Sequence, residues 1–492
     1  LAVEQVGKSS LLAAGFVGAV ELDMQLVPGG RFHDPVAELH HLLIVAVEEI
    51  PVRQSVLSEG QALASTLNEV ADRLYKLRTN ANEEVGSLVP EINALAEGIA
   101  RLNVQIRDTE LGGLRTANDL RDERDRQMDK LAKLINISYR ERTDGQIDVL
   151  VSGDVLVNGG EVEYMEAVTN PLLDPERFDL VEVRFADTGR LVEVKSGALR
   201  GALDARDEAI TDVDTRFDEI AATIIEQINK IHAAGNGLSN ISGTISSGIR
   251  TGDAVTPLVS AGLPFGIDTT PPNNTFEVDV YDPTGAIIET ATITVTNATT
   301  LTDLANDLNA MANISASVNA TTGDTLDISV GGGNTFTFTN DNSGVLAAIG
   351  LNSFFTGYDA RTIGVNQDLV DNPEWLSSGY SLDPLNTGDN QAALDMADVR
   401  NGLFLDSNSA TINDAYEAAV VAIGIDSRAN TQTRDLEEQF VQNFDLRRQE
   451  ISGVSLDEET VRLIQFQRAY EGNARVISTV NAMLEVLVNL GR

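Results

Sequence analysis

From Leu67 to Ile106 apolar side chains return every three or four residues: Leu67, Val70, Leu74, Leu77, Ala81, Val85, Leu88, Ile92, Leu95, Ile99, Leu102 and Ile106. A helix sampled at that spacing shows one continuous apolar seam, and more than five heptads of it is too long for the wall of a small globule. The seam residues Leu74, Leu77, Leu88, Ile92, Leu95, Ile99, Leu102 and Ile106 therefore predict a rod-like, coiled-coil-like helix. Pro90 lies inside it without an amide hydrogen, which predicts a kink or break near Leu88 and Val89.

Composition narrows what such a rod can meet. With 35 Lys and Arg against 75 Asp and Glu the net charge is −40, and a surface this acidic repels nucleic acid and anionic lipid. Proteins are the partners left. The chain has no cysteine, so disulfides, thiolate metal sites and a cysteine nucleophile are excluded. Apolar runs such as "HLLIVAV" fall far short of the roughly 20 residues of a membrane span. The opening stretch has an apolar middle, but Glu4 precedes Lys8, the wrong charge order for a cleaved leader.

The period then changes along the chain. "NDLRDERDRQMDKLAKLI" predicts a second helix capped by Asn118 or Asp119, short enough to fold back on the first. "QIDVLVSGDVLVNGG" alternates after an Asp144-Gly145 turn signal, so 138–197 reads as a small β-rich excursion. Helical spacing returns over 198–240 through Leu203, Ile210, Phe217, Ile220 and Ile224. From 241 to 390 charge falls and Thr, Asn and Gly rise, which marks an inserted β-rich domain. Near 276–340 it reads as a ββαββ module whose helix is capped by Thr300 with Asp303. Residues 391–452 and 453–492 are helical again. The fold class predicted is α+β and multidomain: a long helical rod domain formed from both chain ends (53–137, 198–240 and 391–452), β-rich inserted domains, and a C-terminal core helix at 453–492.

That last helix is the strongest candidate for function. Leu463, Phe466, Tyr470, Ala474, Ile477, Val480, Leu484 and Leu487 form a stripe that calls for a partner helix, either in the same domain or on another subunit, and Ser455 with Glu458 forms a capping-box pattern at its start. The segment "GVSLDEETVRLIQFQRAYEGNARVISTVNAMLEVLVNL" resembles the C-terminal signature of bacterial axial flagellar proteins. "LRDERDRQMDKLAKLINISYRERTDGQIDVLVSG" and "SGALRGALDARDEAITDVDTRFDEIAATIIEQINKIHAAG" are similar to matching segments of the hook-associated members that form the hook-filament junction. The resemblance covers about 53–240 and 390–492.

It implies a structural, non-enzymatic subunit of the flagellum that self-associates into a ring or tube. Its partners would be the hook protein, a second hook-associated protein and an export chaperone. It also implies secretion by the flagellar type III route without a cleavable signal peptide, and pairing of the C-terminal helix with an N-terminal helix of the same chain. Residues 1–52 depart from the family pattern, lacking its Ala-, Leu- and Asn-rich helix and "NTPGYSRQ"-like segment, so they read as an atypical segment with a wrong start or frame error upstream of about Val52. A hook or filament protein, or an extracellular adhesin or enzyme with a ligand-binding insertion, are the alternative readings.

No catalytic, cofactor or metal site is expected. "VGKSS" at 6–10 has Ala2 where a phosphate-binding loop needs glycine. His33, His40 and His41 lie in the atypical segment, and His232 stands alone near a helix end.

Overall fold

The computed structural model describes residues 49–111, 116–173, 180–381, 388–452 and 456–490. The long seam forms helix α1, Ile50–Glu110, which at about 1.5 Å per residue runs roughly 90 Å. Of the kink or break expected near Leu88 and Val89, the break does not occur: the helix runs unbroken through Pro90. Pro90 is exposed, the carbonyl it leaves unbonded belongs to Gly86 where space is open, and the buried Leu88 and Val89 pin the turn. Leu74, Leu88, Ile92, Ile99, Leu102 and Ile106 are buried, and Leu77 and Leu95 half-buried.

The seam does not face one partner helix. From Val56 to Ala81 it joins a core with the later helices; from Val85 to Ala100 it joins another with the second helix and the first β-strands.

Helix α2, Asn118–Leu134, folds back along α1. Its N-cap is Ala117 with no side-chain cap, rather than Asn118 or Asp119. Glu110 caps it from the preceding helix: its carboxylate accepts from the Ala117 amide (3.0 Å) and from Arg121 Nε and Nη2 (2.8 Å each). Arg121, then the Ala117 amide, hold the Glu110 carboxyl down at about 2.

Strands β1 (Ser138–Glu141), β2 (Ile147–Val151), β3 (Asp154–Asn158) and β4 (Glu161–Val162) form an antiparallel sheet in that order, and β5 (Met165–Thr169) pairs with β6 (Val181–Phe185). Gly145, at φ +80°, makes the β1–β2 turn. Asparagines of α1 fasten these strands. Asn93 donates to the Met165 carbonyl (2.8 Å) and accepts from its amide (2.9 Å), and Asn103 does the same for Ile147 (2.8 and 3.1 Å).

Helix α3 (Ala198–Asp204) starts at Gly197, whose φ of +93° and 2.6 Å clearance from the Leu134 backbone admit no Cβ. It runs through a π-turn, Ala205–Ala209, into α4 (Ile210–Ala234), a wider turn where unbroken helical spacing is expected. The buried Arg206 accounts for it, since the turn aims that side chain at α1.

The middle region holds β7 (Thr244–Ser246), β8 (Thr275–Tyr281), β9 (Ile287–Thr294), helix α5 (Leu301–Asn309), β10 (Ile314–Asn319), β11 (Thr325–Val330) and β12 (Thr335–Thr339). They make two antiparallel three-stranded sheets, β12-β8-β9 and β10-β11-β7, around one core. Three strands, not two, follow the helix, because β12 returns to pair with β8. Thr300 and Asp303 form the reciprocal capping box on α5.

Short elements α6 (Val345–Ile349), β13 (Phe355–Thr356), β14 (Gly364–Val365) and α7 (Gln367–Asp371) follow, then α8 (Gln391–Asp398), α9 (Ile412–Ser452) and α10 (Leu456–Leu490).

A strap at 374–381 ties this region to the start of α1. Arg53, fully buried, donates to the Leu376 carbonyl and to Ser378 Oγ (2.8 Å). His232, also fully buried, shares Nδ1 with the Asn352 carbonyl (2.9 Å) while Nε2 accepts from the Ser377 amide (3.1 Å). This histidine is a neutral structural residue. Burial pushes it down to about 4, against the pull of the Asn352 carbonyl and with the nearby Arg53 adding to the push.

Above pH 6.5 neither folded nor unfolded chain protonates it. Between 6.5 and about 4 only the unfolded chain does, so stability falls as pH falls, by about 3 kcal/mol in total. Urea melts from pH 7 to 4 should show that loss, and His232→Gln should flatten this part of the slope.

Candidate assembly interface

Helix α9 opens on a capping box: Thr411 Oγ1 accepts from the Asp414 amide (3.1 Å), and the Asp414 carboxylate accepts from the Thr411 amide (3.0 Å). The Thr411 amide, then the Thr411 hydroxyl, which donates to the same carboxylate (2.8 Å), hold Asp414 below the usual carboxylate range. The first turns pack on α4 through Ile412, Ala419 and Ile423, with Tyr416 edge-on to Phe217 at 6.1 Å. Beyond Ile423 large apolar side chains lie exposed, although Glu437 is buried. Ile425, Leu436, Phe440 and Phe444 are 61, 57, 54 and 43% exposed.

Helix α10 goes further. Every described side chain from 460 to 484 is exposed. Of the predicted stripe, Leu463, Phe466, Tyr470, Ala474, Ile477, Val480 and Leu484 are all bare, with Phe466 and Tyr470 at 77%. Leu487, Ser455 and Glu458 lie outside the described residues or side chains. No described residue brings the stripe a partner, and the sequence reading missed Val476 and Met483, which widen it toward the C-terminal end.

The geometry of the stripe specifies the kind of cover it takes. Leu463, Tyr470, Ile477 and Leu484 recur every seven residues, and on a straight helix such a row drifts by about 20° per heptad. A left-handed supercoil with another helix removes the drift. Each large side chain gains about 1.5–3 kcal/mol on burial, so the stripe is suited to helix-on-helix packing. Among the described residues no group of three or more His, Asp or Glu side chains gathers as a metal site, and no helix is long and apolar enough to cross a membrane.

Comparisons with known proteins match two separate stretches of the chain. Residues 42–245 match the family model "Flagellar hook-associated protein FlgK helical domain", and 447–490 match "Flagellar basal body rod FlgEFG protein C-terminal". A helical domain and a terminal helix of these kinds, bracketing β-rich insertions, define an axial protein of the bacterial flagellum. The chain is 27% identical to flagellar hook-associated protein 1 of Escherichia coli (strain K12), with 91% of this chain and 78% of that protein covered. It is 25% identical to the Salmonella typhimurium protein of the same name over the same shares, and 23% identical to the Bacillus subtilis one over 90 and 72%.

The flagellar hook junction protein FlgK from Burkholderia pseudomallei shares the fold at a TM-score of 0.57, with 16% identity over 92% of this chain and 99% of that one. Over most of its length the chain is thus similar to flagellar hook-associated protein 1. The match to the helical-domain model begins at residue 42.

Because α10 contributes nothing to the described cores, its stripe can be broken without unfolding the subunit. Phe466→Asp with Leu484→Asp should leave thermal stability unchanged and abolish self-association, as read by sedimentation velocity.

Proposed function

We propose that the chain is a structural subunit that joins the flagellar hook to the filament by packing its helices against neighbouring subunits, and that it catalyses no reaction. The observation that carries this reading is the bare heptad stripe of α10, standing at one end of a chain similar to hook-associated proteins. The stripe is the assembly surface. The helices within 53–137, 198–240 and 391–452 serve as the rod domain, 453–492 as the core helix, and 241–390 as an outward-facing insertion whose segments near 354–376 pack on the rod helices.

Partners follow from the same reading: further copies of the chain in a ring or tube, the hook protein on one side, a second hook-associated protein on the other, and a chaperone before export. Export runs through the flagellar type III route without a cleavable leader.

Complementation tests this directly. In a bacterium lacking its own junction subunit, the chain should restore filaments and swimming, and the Phe466→Asp, Leu484→Asp variant should not. Secreted protein that accumulates in the medium and never reaches hook tips would sink the proposal.

Charge adds a second test. Copies carrying −40 repel one another, and going from 0.01 to 0.1 M salt shortens the Debye length from about 30 to about 10 Å. Association measured by sedimentation should strengthen over that range; a flat response would show that repulsion does not limit assembly.

A further inference from the structure

The two cores along α1 do not merge. Their α1 members end at Ala81 on one side and begin at Val85 on the other, and polar groups occupy the level between. Arg206, 2% exposed, sends Nη1 to Asn82 Oδ1 (2.8 Å) and to the Val181 carbonyl (2.7 Å) and grips Asp207 with Nε and Nη2 (2.7 and 2.8 Å). Arg78 Nε donates to the Arg206 carbonyl (3.2 Å), and so does Thr211 Oγ1 (3.1 Å).

Both helices that cross this level have a fault in their hydrogen-bond ladder beside it. In the α3–α4 helix it is the π-turn, where the Ile210 amide reaches five residues back to Ala205. In α1 it is the Gly86 carbonyl, one turn beyond Asn82, which has no amide to meet because Pro90 stands four residues on. Gly86 adds backbone freedom, and nothing approaches within 4 Å of where its Cβ would be.

We propose that this level is a hinge within the subunit, about which the body built on α4 and the body built on α2 and β1–β6 bend relative to each other. Interdigitated apolar side chains resist such bending, because any shift opens voids. A layer of hydrogen bonds from two arginines and an asparagine re-pairs over small displacements, and it joins the bodies at rest without locking them. The faulted ladders place the softest backbone of both helices at the same height. The hinge is a property of the single chain and stands or falls independently of what the subunit assembles with.

The absence of cysteine makes the test clean. Lys130→Cys on α2 and Glu219→Cys on α4, both exposed, accept spin labels on either side of the level. Double electron–electron resonance on the full chain should give a broad distance distribution. Adding Gly86→Ala and Pro90→Ala, both at positions with room for the change, should narrow it. Amides around Gly86 and Ala205–Ala209 should exchange about tenfold faster than those one turn to either side in the parent chain, and the difference at Gly86 should vanish in the variant. Equal distribution widths in parent and variant, or exchange at both faults as slow as in the flanking turns, would overturn the hinge.

Discussion

The architecture depends on α1 burying its two halves against different partners. A helix of this length gains little from its own backbone bonds in water, and its stability comes from what covers its apolar face. Here one half is covered by α4 and the segments near 354–376, and the other by α2 and the small sheet. Both bodies therefore share one backbone. Removing either would leave half of α1 bare, so the rod and the β-rich excursion fold as dependents of the same helix.

Much of this was legible in the sequence, since burial follows periodicity. The seam of α1, the α2 hairpin, the Asp144-Gly145 turn and the Thr300 capping box follow from local rules of spacing and side-chain chemistry. The misses share a cause. Pro90 looked like a break because the rule concerns the isolated helix, whereas Leu88 and Val89 are held by neighbours far along the chain. The cap of α2 comes from Glu110, on another helix, and the π-turn serves Arg206, whose partner Asn82 lies over a hundred residues away on α1. The strand order of the middle region, where β12 returns to β8, is also a long-range choice.

The candidate interface was legible for the opposite reason. The α10 stripe is a property of one helix and needs no tertiary partner to be read. Exposure supplies what sequence could not: the stripe is covered by nothing among the described residues, and its apolar surface extends to Val476 and Met483.

The asparagines that join helix to strand extend this account. Asn93 and Asn103 each take both backbone groups of one strand residue, and the pattern recurs where Asn229 takes Phe355 and Asn309 takes Ala316. An amide side chain has no proton to lose or gain over the ordinary pH range and carries no net charge for ions to shield. In a chain whose surface is dominated by carboxylates, the internal fasteners are thus indifferent to the medium. These joints hold alike in acid, alkaline, dilute and saline surroundings, leaving ionisable groups, the buried His232 among them, to register the change.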